Sequence, residues 1–169
     1  MYGFYKPLEA ALAPWKSFVW SESESASAGR EKTPLLMRDL CALSAGDALE
    51  AIPLCPETPR LETLAQALGC LYVLEGATLG GQIIGRHLQT VHGIGPDNGA
   101  AFFGGYGPET GRRWKDFGQV ITRHAEREDC PAEQIIAAAR ETFSRYEAWV
   151  GPAADTVPST EEGKTSDGG

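Results

Sequence analysis

The sequence predicts an all-α protein, a multi-helix bundle, on three observations. Apolar residues recur at helical spacing through most of the chain, helix start and stop signals bracket those runs, and no stretch alternates with period two. A length of 169 residues with 42% hydrophobic content suits one compact domain with a sizeable core.

The first element opens on Tyr2, Phe4 and Tyr5 with no N-cap before them, so it reads as the middle of something longer. Pro7 starts a helical turn carrying Leu8, Ala11 and Leu12, and Pro14 stops it. Ser21 to Gly29, rich in Ser and Glu, is a solvated loop. Thr33 as N-cap with Pro34 behind it starts a second helix through Leu36, Leu40 and Leu43, with Gly46 as its stop. Thr58-Pro59 repeats that start signal, and Leu61, Leu64, Leu68 and Leu71 lead into a pattern that runs through Ile83, Leu88 and Val91 to Gly93. The predicted central helix has about 34 residues and spans roughly 50 Å. Gly93 to Gly107 is a loop whose Phe102, Phe103 and Tyr106 tuck onto the core. Trp114, Phe117, Ile121 and His124 then mark one helical face, and Pro131 opens a last helix with Ile135, Ala139, Phe143, Tyr146 and Val150. The domain therefore covers residues 1–150, and 151–169 form a disordered tail with almost nothing to bury.

A formal charge of −8 and a pI near 4.9 work against nucleic-acid or anionic-membrane binding, which needs clustered Lys and Arg. The run Leu64 to Gly85 approaches membrane-spanning length, but Glu75 would sit near the bilayer centre at a cost of about 2.5–3.5 kcal/mol. A buried helix explains the same letters. Cys41, Cys55, Cys70 and Cys130 are widely spaced, with no C-x-x-C pair, and read as free thiols of a cytoplasmic protein, Cys41 and Cys70 lying in the core.

The central helix carries Gly69, Gly76, Gly80, Gly81 and Gly85. Each costs about 1 kcal/mol relative to Ala, so something offsets about 5 kcal/mol. At ~100° per residue, Gly69, Gly76, Gly80 and His87 fall on one narrow stripe where the backbone is bare. Either another helix packs closely there or a planar ligand lies flat against it. Gly80-Gly81 is also the natural place for a kink. Arg112, Arg113 and Lys115 sit in the first turn of their helix, where the macrodipole disfavours cations. An anionic partner would relieve them; so would local pairing with Glu109 and Asp116. His87, His92 and His124 are too dispersed for a multi-histidine metal site.

The run Leu71-Tyr-Val-Leu-Glu-Gly-Ala-Thr-Leu-Gly-Gly-Gln-Ile-Ile-Gly-Arg-His-Leu88 resembles the distal helix of bacterial biliverdin-producing heme oxygenases, particularly those associated with bacteriophytochromes. Tyr2-Gly-Phe-Tyr-Lys-Pro-Leu-Glu9, Leu35-Leu-Met-Arg-Asp-Leu40, Phe102-Phe-Gly-Gly-Tyr106 and the Trp114 and Phe143 helices follow in that family's order. The resemblance implies a heme oxygenase-like bundle with a long kinked glycine-rich central helix and a heme sandwiched between two helices. It implies Gly76, Gly80 and Gly81 as the catalytic distal glycines, Arg112, Arg113 and Lys115 as partners of the heme propionates, and Phe143 as a pocket wall. Heme is then both substrate and cofactor, an external electron donor is needed, and a bacteriophytochrome is a natural biliverdin acceptor. The family's proximal histidine lies in a helix before the Tyr-Gly-Phe-Tyr segment, with which this sequence begins, so an N-terminal truncation is expected. The alternatives are a degenerate heme-binding or structural module without catalysis, and a different enzyme on the same scaffold.

Overall fold

The computed structural model describes residues 1–20, 28–43 and 46–154, and among these it holds helices and turns and no strand. In chain order the helices are α1 (Tyr2–Leu12), α2 (Lys16–Val19), α3 (Thr33–Ala42), α4 (Leu64–His92), α5 (Ala101–Gly104), α6 (Thr110–Ala125) and α7 (Ala132–Ala154). Short 3₁₀ turns lie at Ala13–Trp15, Gly46–Ala51 and Gly107–Glu109. The predicted Ser21 to Gly29 loop falls mostly outside the described residues, as does the predicted tail beyond Ala154. The last helix itself continues past residue 150 to Ala154.

Helix α1 begins at Tyr2, and Pro7 sits inside it instead of opening it. Proline has no N–H to donate to the carbonyl of Gly3. That carbonyl accepts from the Cys55 N–H at 2.8 Å instead, which ties α1 to the 53–55 connection. Phe4, Leu8 and Leu12 are fully or almost fully buried.

Helix α3 corrects the expected cap. Thr33 is its first helical residue, and its hydroxyl is buried without a partner. The cap comes from α1, where the Glu9 carboxylate accepts from the backbone N–H of Lys32 at 2.6 Å and of Thr33 at 3.0 Å. The helix also ends at Ala42, ahead of the expected stop at Gly46. Cys41, expected in the core, is exposed, whereas Cys55, Cys70 and Cys130 are buried; all four are free thiols.

Helix α4 starts later than Thr58 because a better cap follows. The Thr63 side chain accepts from the Gln66 N–H, and the Gln66 side chain accepts from the Thr63 N–H, a reciprocal capping box. Gly93 closes the helix at φ +67°, a left-handed conformation that favours glycine, and its N–H bonds to the Gln89 carbonyl. The 29 residues between remain helical through Gly80-Gly81.

The first half of α4 forms the bundle axis against α7. A Cβ on Gly69 would stand 2.5 Å from the Ile135 carbonyl oxygen and 2.6 Å from the Ala138 Cβ. Only glycine permits so close an approach. By length and composition α4 would span a membrane, yet half of its most apolar window is buried inside the bundle. On α7 the inward line is Ile135, Ala138, Ala139 and Thr142, so Phe143 falls one residue beyond it and is 55% exposed. Between α4 and α6, the 93–107 segment contains the short α5, capped by the buried Asp39 carboxylate, which accepts from the N–H groups of Ala101 and Phe102.

Candidate functional site

The second half of α4 is only partly covered. Tyr72, Gly76, Gly80, Ile83 and His87 share one side at ~100° per residue. Tyr72, Leu79 and Ile83 are large apolar side chains left exposed there, Ile83 to 65%. A Cβ on Gly76 would touch nothing but the six-membered ring of Trp114, at 3.6 Å; a Cβ on Gly80 would meet nothing within 4 Å. Gly81 faces elsewhere, where a Cβ would lie 3.4 Å from the Phe103 carbonyl oxygen, and a Cβ on Gly85 would meet the same residue at 3.3 Å. The stripe predicted from the sequence thus has two uses, with Gly69 letting α7 approach and Gly80 leaving bare backbone open.

Trp114 reaches this face from α6. Its ring lies 5.4 Å from that of Tyr72 and 6.3 Å from that of the fully buried Phe117. Tyr72 also floors an apolar groove of about 420 Å³ between α6 and α7, walled by Ile121, Ile135, Ile136 and Phe143. Phe143 therefore stands in a groove next to the glycine face, with Tyr72 common to both.

Directly behind Gly76 lies a buried charge cluster. Glu75 is 2% exposed, and a lone buried carboxylate would be prohibitively costly. Arg30 donates to it at 2.5 Å, the Tyr106 hydroxyl at 2.8 Å, and the Lys32 ammonium lies at 3.5 Å. Lys32 also bonds to the Tyr106 hydroxyl and to the Arg30 carbonyl. Arg30 stacks on Trp20 at 4.2 Å. Burial pushes the Tyr106 phenol up, and the Glu75 carboxylate adds to the effect, so Tyr106 keeps its proton and donates it. Burial pulls the Lys32 ammonium down, against the attraction of Glu75 and Glu9. The cluster fixes α4 to the 30–32 segment and to the loop before α6.

The three basic residues of α6 divide. Arg112 pairs with Glu109 and, at 3.2 Å, with Asp116, which is the local pairing considered from the sequence. Arg113 donates to the Ala28 carbonyl at 3.0 Å and lies over the Tyr106 ring at 4.5 Å. Lys115 is exposed, forms no ion pair among the described residues, and lines an open hollow with Trp114, Gly118 and Gln119. His87 and His92 are exposed; His124 is buried, with Nε2 3.4 Å from the Val19 carbonyl oxygen. Among the described residues no group of three His, Cys, Asp or Glu side chains is placed to hold a metal ion. The Cys70 thiol is buried beside the Thr142 hydroxyl at 3.0 Å, and burial pushes it up to about 11, which makes it a poor nucleophile.

Sequence reasoning missed the Glu75 cluster and the Trp114 contact. A single charge in an apolar run was the available signal for the first, since a buried carboxylate must find cations. The second had no signal, because Trp114 belongs to the same helical face as Phe117 and reads as ordinary core.

A family model described as heme oxygenase matches residues 1–151. Searches among curated proteins and among solved structures return no match. The matched stretch takes in every described helix up to the last turn of α7, and with it the bare glycine face of α4. The chain belongs to the heme oxygenase family, whose substrate is heme.

Proposed function

We propose that this chain binds heme flat against the Gly76–Gly80 face of α4 and takes part in its oxidative opening to biliverdin, iron and carbon monoxide. The observation that carries the reading is the open space at Gly80, flanked by the exposed Leu79 and Ile83. A planar macrocycle needs an apolar wall without projecting side chains, and a Cβ at Gly80 would stand in that place.

Bound heme supplies the iron at which oxygen is activated, with electrons from an external donor protein or reductant. The chain's own share is binding, orientation and exclusion. Gly80 presents backbone alone and Gly76 has only the Trp114 indole against it, so no side-chain acid reaches the ligand from these two positions. Tyr72, Leu79 and Ile83 remove water from the flanks, and Phe143 walls the adjoining groove. Lys115 meets a propionate without first leaving another partner; Arg112 would exchange Glu109 or Asp116 for it, and Arg113 its backbone contacts. Gly81 turns towards Phe103 of α5, where a Cβ would make only ordinary contact, and lies off the bare face.

His87 stands on the same side as the bare glycines, about 10 Å along the helix from Gly80, where its imidazole would hold a ring off the backbone. The likeness of the Leu71 to Leu88 run to bacteriophytochrome-associated enzymes supports a bacteriophytochrome as biliverdin acceptor, and the four free thiols support a cytoplasmic setting. The position of the three histidines also favours a second reading, heme binding without turnover. Mixing the purified chain with hemin and ascorbate tests both. A Soret band that gives way to a bilin spectrum supports the oxygenase, a lasting Soret band supports the binder, and the lack of any band refutes the heme site.

A further inference from the structure

We infer that Trp114 is a positioning residue that closes one end of the glycine face and so fixes how a planar ligand lies along α4. The inference rests on the proposal that heme occupies that face. Four observations support it. The ring atoms Cη2 and Cζ3 of Trp114 lie at 3.6 Å from where a Gly76 Cβ would be, which is ordinary contact, so the indole covers that stretch of bare backbone. One helical turn further on, Gly80 has nothing over it. The indole is held on two sides, by Tyr72 at 5.4 Å and by Phe117 at 6.3 Å, and Phe117 is itself fully buried. Trp114 is nevertheless only partly buried, because its ring projects from the core edge across α4.

The slot over α4 therefore has one closed end and one open end. A flat molecule seated on Gly80 can slide towards Tyr72 only until its edge meets the indole. With the ring removed, Gly76 becomes a second bare seat about 6 Å away. The ligand then samples more than one placement. Trp114 thus governs which edge of the macrocycle is presented for opening, while the glycines govern whether it binds at all.

The test compares the full wild-type chain with Trp114→Phe, Trp114→Leu and Trp114→Ala. The probes are hemin and the redox-inert zinc protoporphyrin. Affinity and the induced circular dichroism of the Soret band are read with both, and the ratio of bilin positional isomers is read after reduction of the hemin complex. Trp114→Ala is expected to weaken porphyrin binding about two- to tenfold through loss of an aromatic contact, to change the induced dichroism and to spread the isomers. Trp114→Phe is expected to keep the wild-type band shape and isomer ratio. Trp114→Leu retains apolar volume without a ring over Gly76, and is expected to behave like Trp114→Ala even if the latter unfolds. Wild-type dichroism and affinity in a folded Trp114→Leu would overturn the inference and leave the heme site standing. Failure of the wild-type chain to bind either porphyrin would overturn both.

Discussion

Gly69 and Gly80 lie on one line of the same helix and cost that helix the same, about 1 kcal/mol each relative to Ala. Their surroundings are opposite. At Gly69 the backbone of α7 comes so near that a single methyl group would collide with Ile135 and Ala138; at Gly80 no atom lies within 4 Å of where that methyl would be. The first glycine is compensated inside the chain, by the close contact of two helices. The second has no such contact among the described residues, which is what the proposed heme wall requires. A stripe of small residues is thus one sequence pattern with two physical surroundings, close helix contact at Gly69 and open space at Gly80.

Substitutions along α4 test this contrast. The largest effect is expected at the join of the two halves, where Glu75→Ala removes the buried carboxylate that Arg30, Lys32 and the Tyr106 hydroxyl all contact. Breaking such a cluster costs about 3–5 kcal/mol, measurable as a drop in the denaturant midpoint. Gly69→Ala comes next, with a net loss of about 1–3 kcal/mol from overpacking against α7 in spite of better helix propensity. Gly80→Ala has the opposite sign, a gain of up to about 1 kcal/mol in thermal stability, together with weaker hemin binding.

The pH dependence follows from the buried phenols. Tyr5 and Tyr106 both have their ionisation pushed above the ordinary value of 10, chiefly by burial. The folded chain keeps protons that the unfolded chain releases, so stability is present in full below pH 10 and falls as the pH rises beyond it. Tyr106→Phe flattens that alkaline slope in equilibrium denaturation. The smallest effect lies at the surface, where Lys16 bonds to Glu31 and holds its carboxyl below the usual 4.5. Here the stabilisation is present above pH 4.5 and is lost as the pH falls. Because the pair is largely solvated, Glu31→Gln is expected to cost less than about 1 kcal/mol at neutral pH and nothing in acid.

The helical architecture was legible because it is written locally. Apolar spacing, the Gly93 stop and the Pro131 start each act within a few residues, and the structure agrees at all three. In α1 and α3 the boundaries were misjudged because a distant group intervened. Glu9 caps α3 from another helix, and Pro7 is tolerated inside α1 because the Cys55 N–H takes the carbonyl it cannot serve. The glycine stripe was legible as a stripe, but its division between α7 and open space was not, since that depends on where α7 diverges from α4. The Glu75 cluster joins residues from three separate stretches of sequence, so only the need for partners could be foreseen, and their identity could not.

Hemin titration of Gly80→Leu, with circular dichroism to confirm the helical fold, is the most direct test of the glycine face as the heme wall. The open space at Gly80 admits the new side chain without disturbing the bundle, so the variant should be folded and at least as stable as the wild type while its Soret band is lost or strongly weakened. A folded Gly80→Leu chain that binds hemin with wild-type affinity and spectrum would place the ligand elsewhere and contradict the proposal.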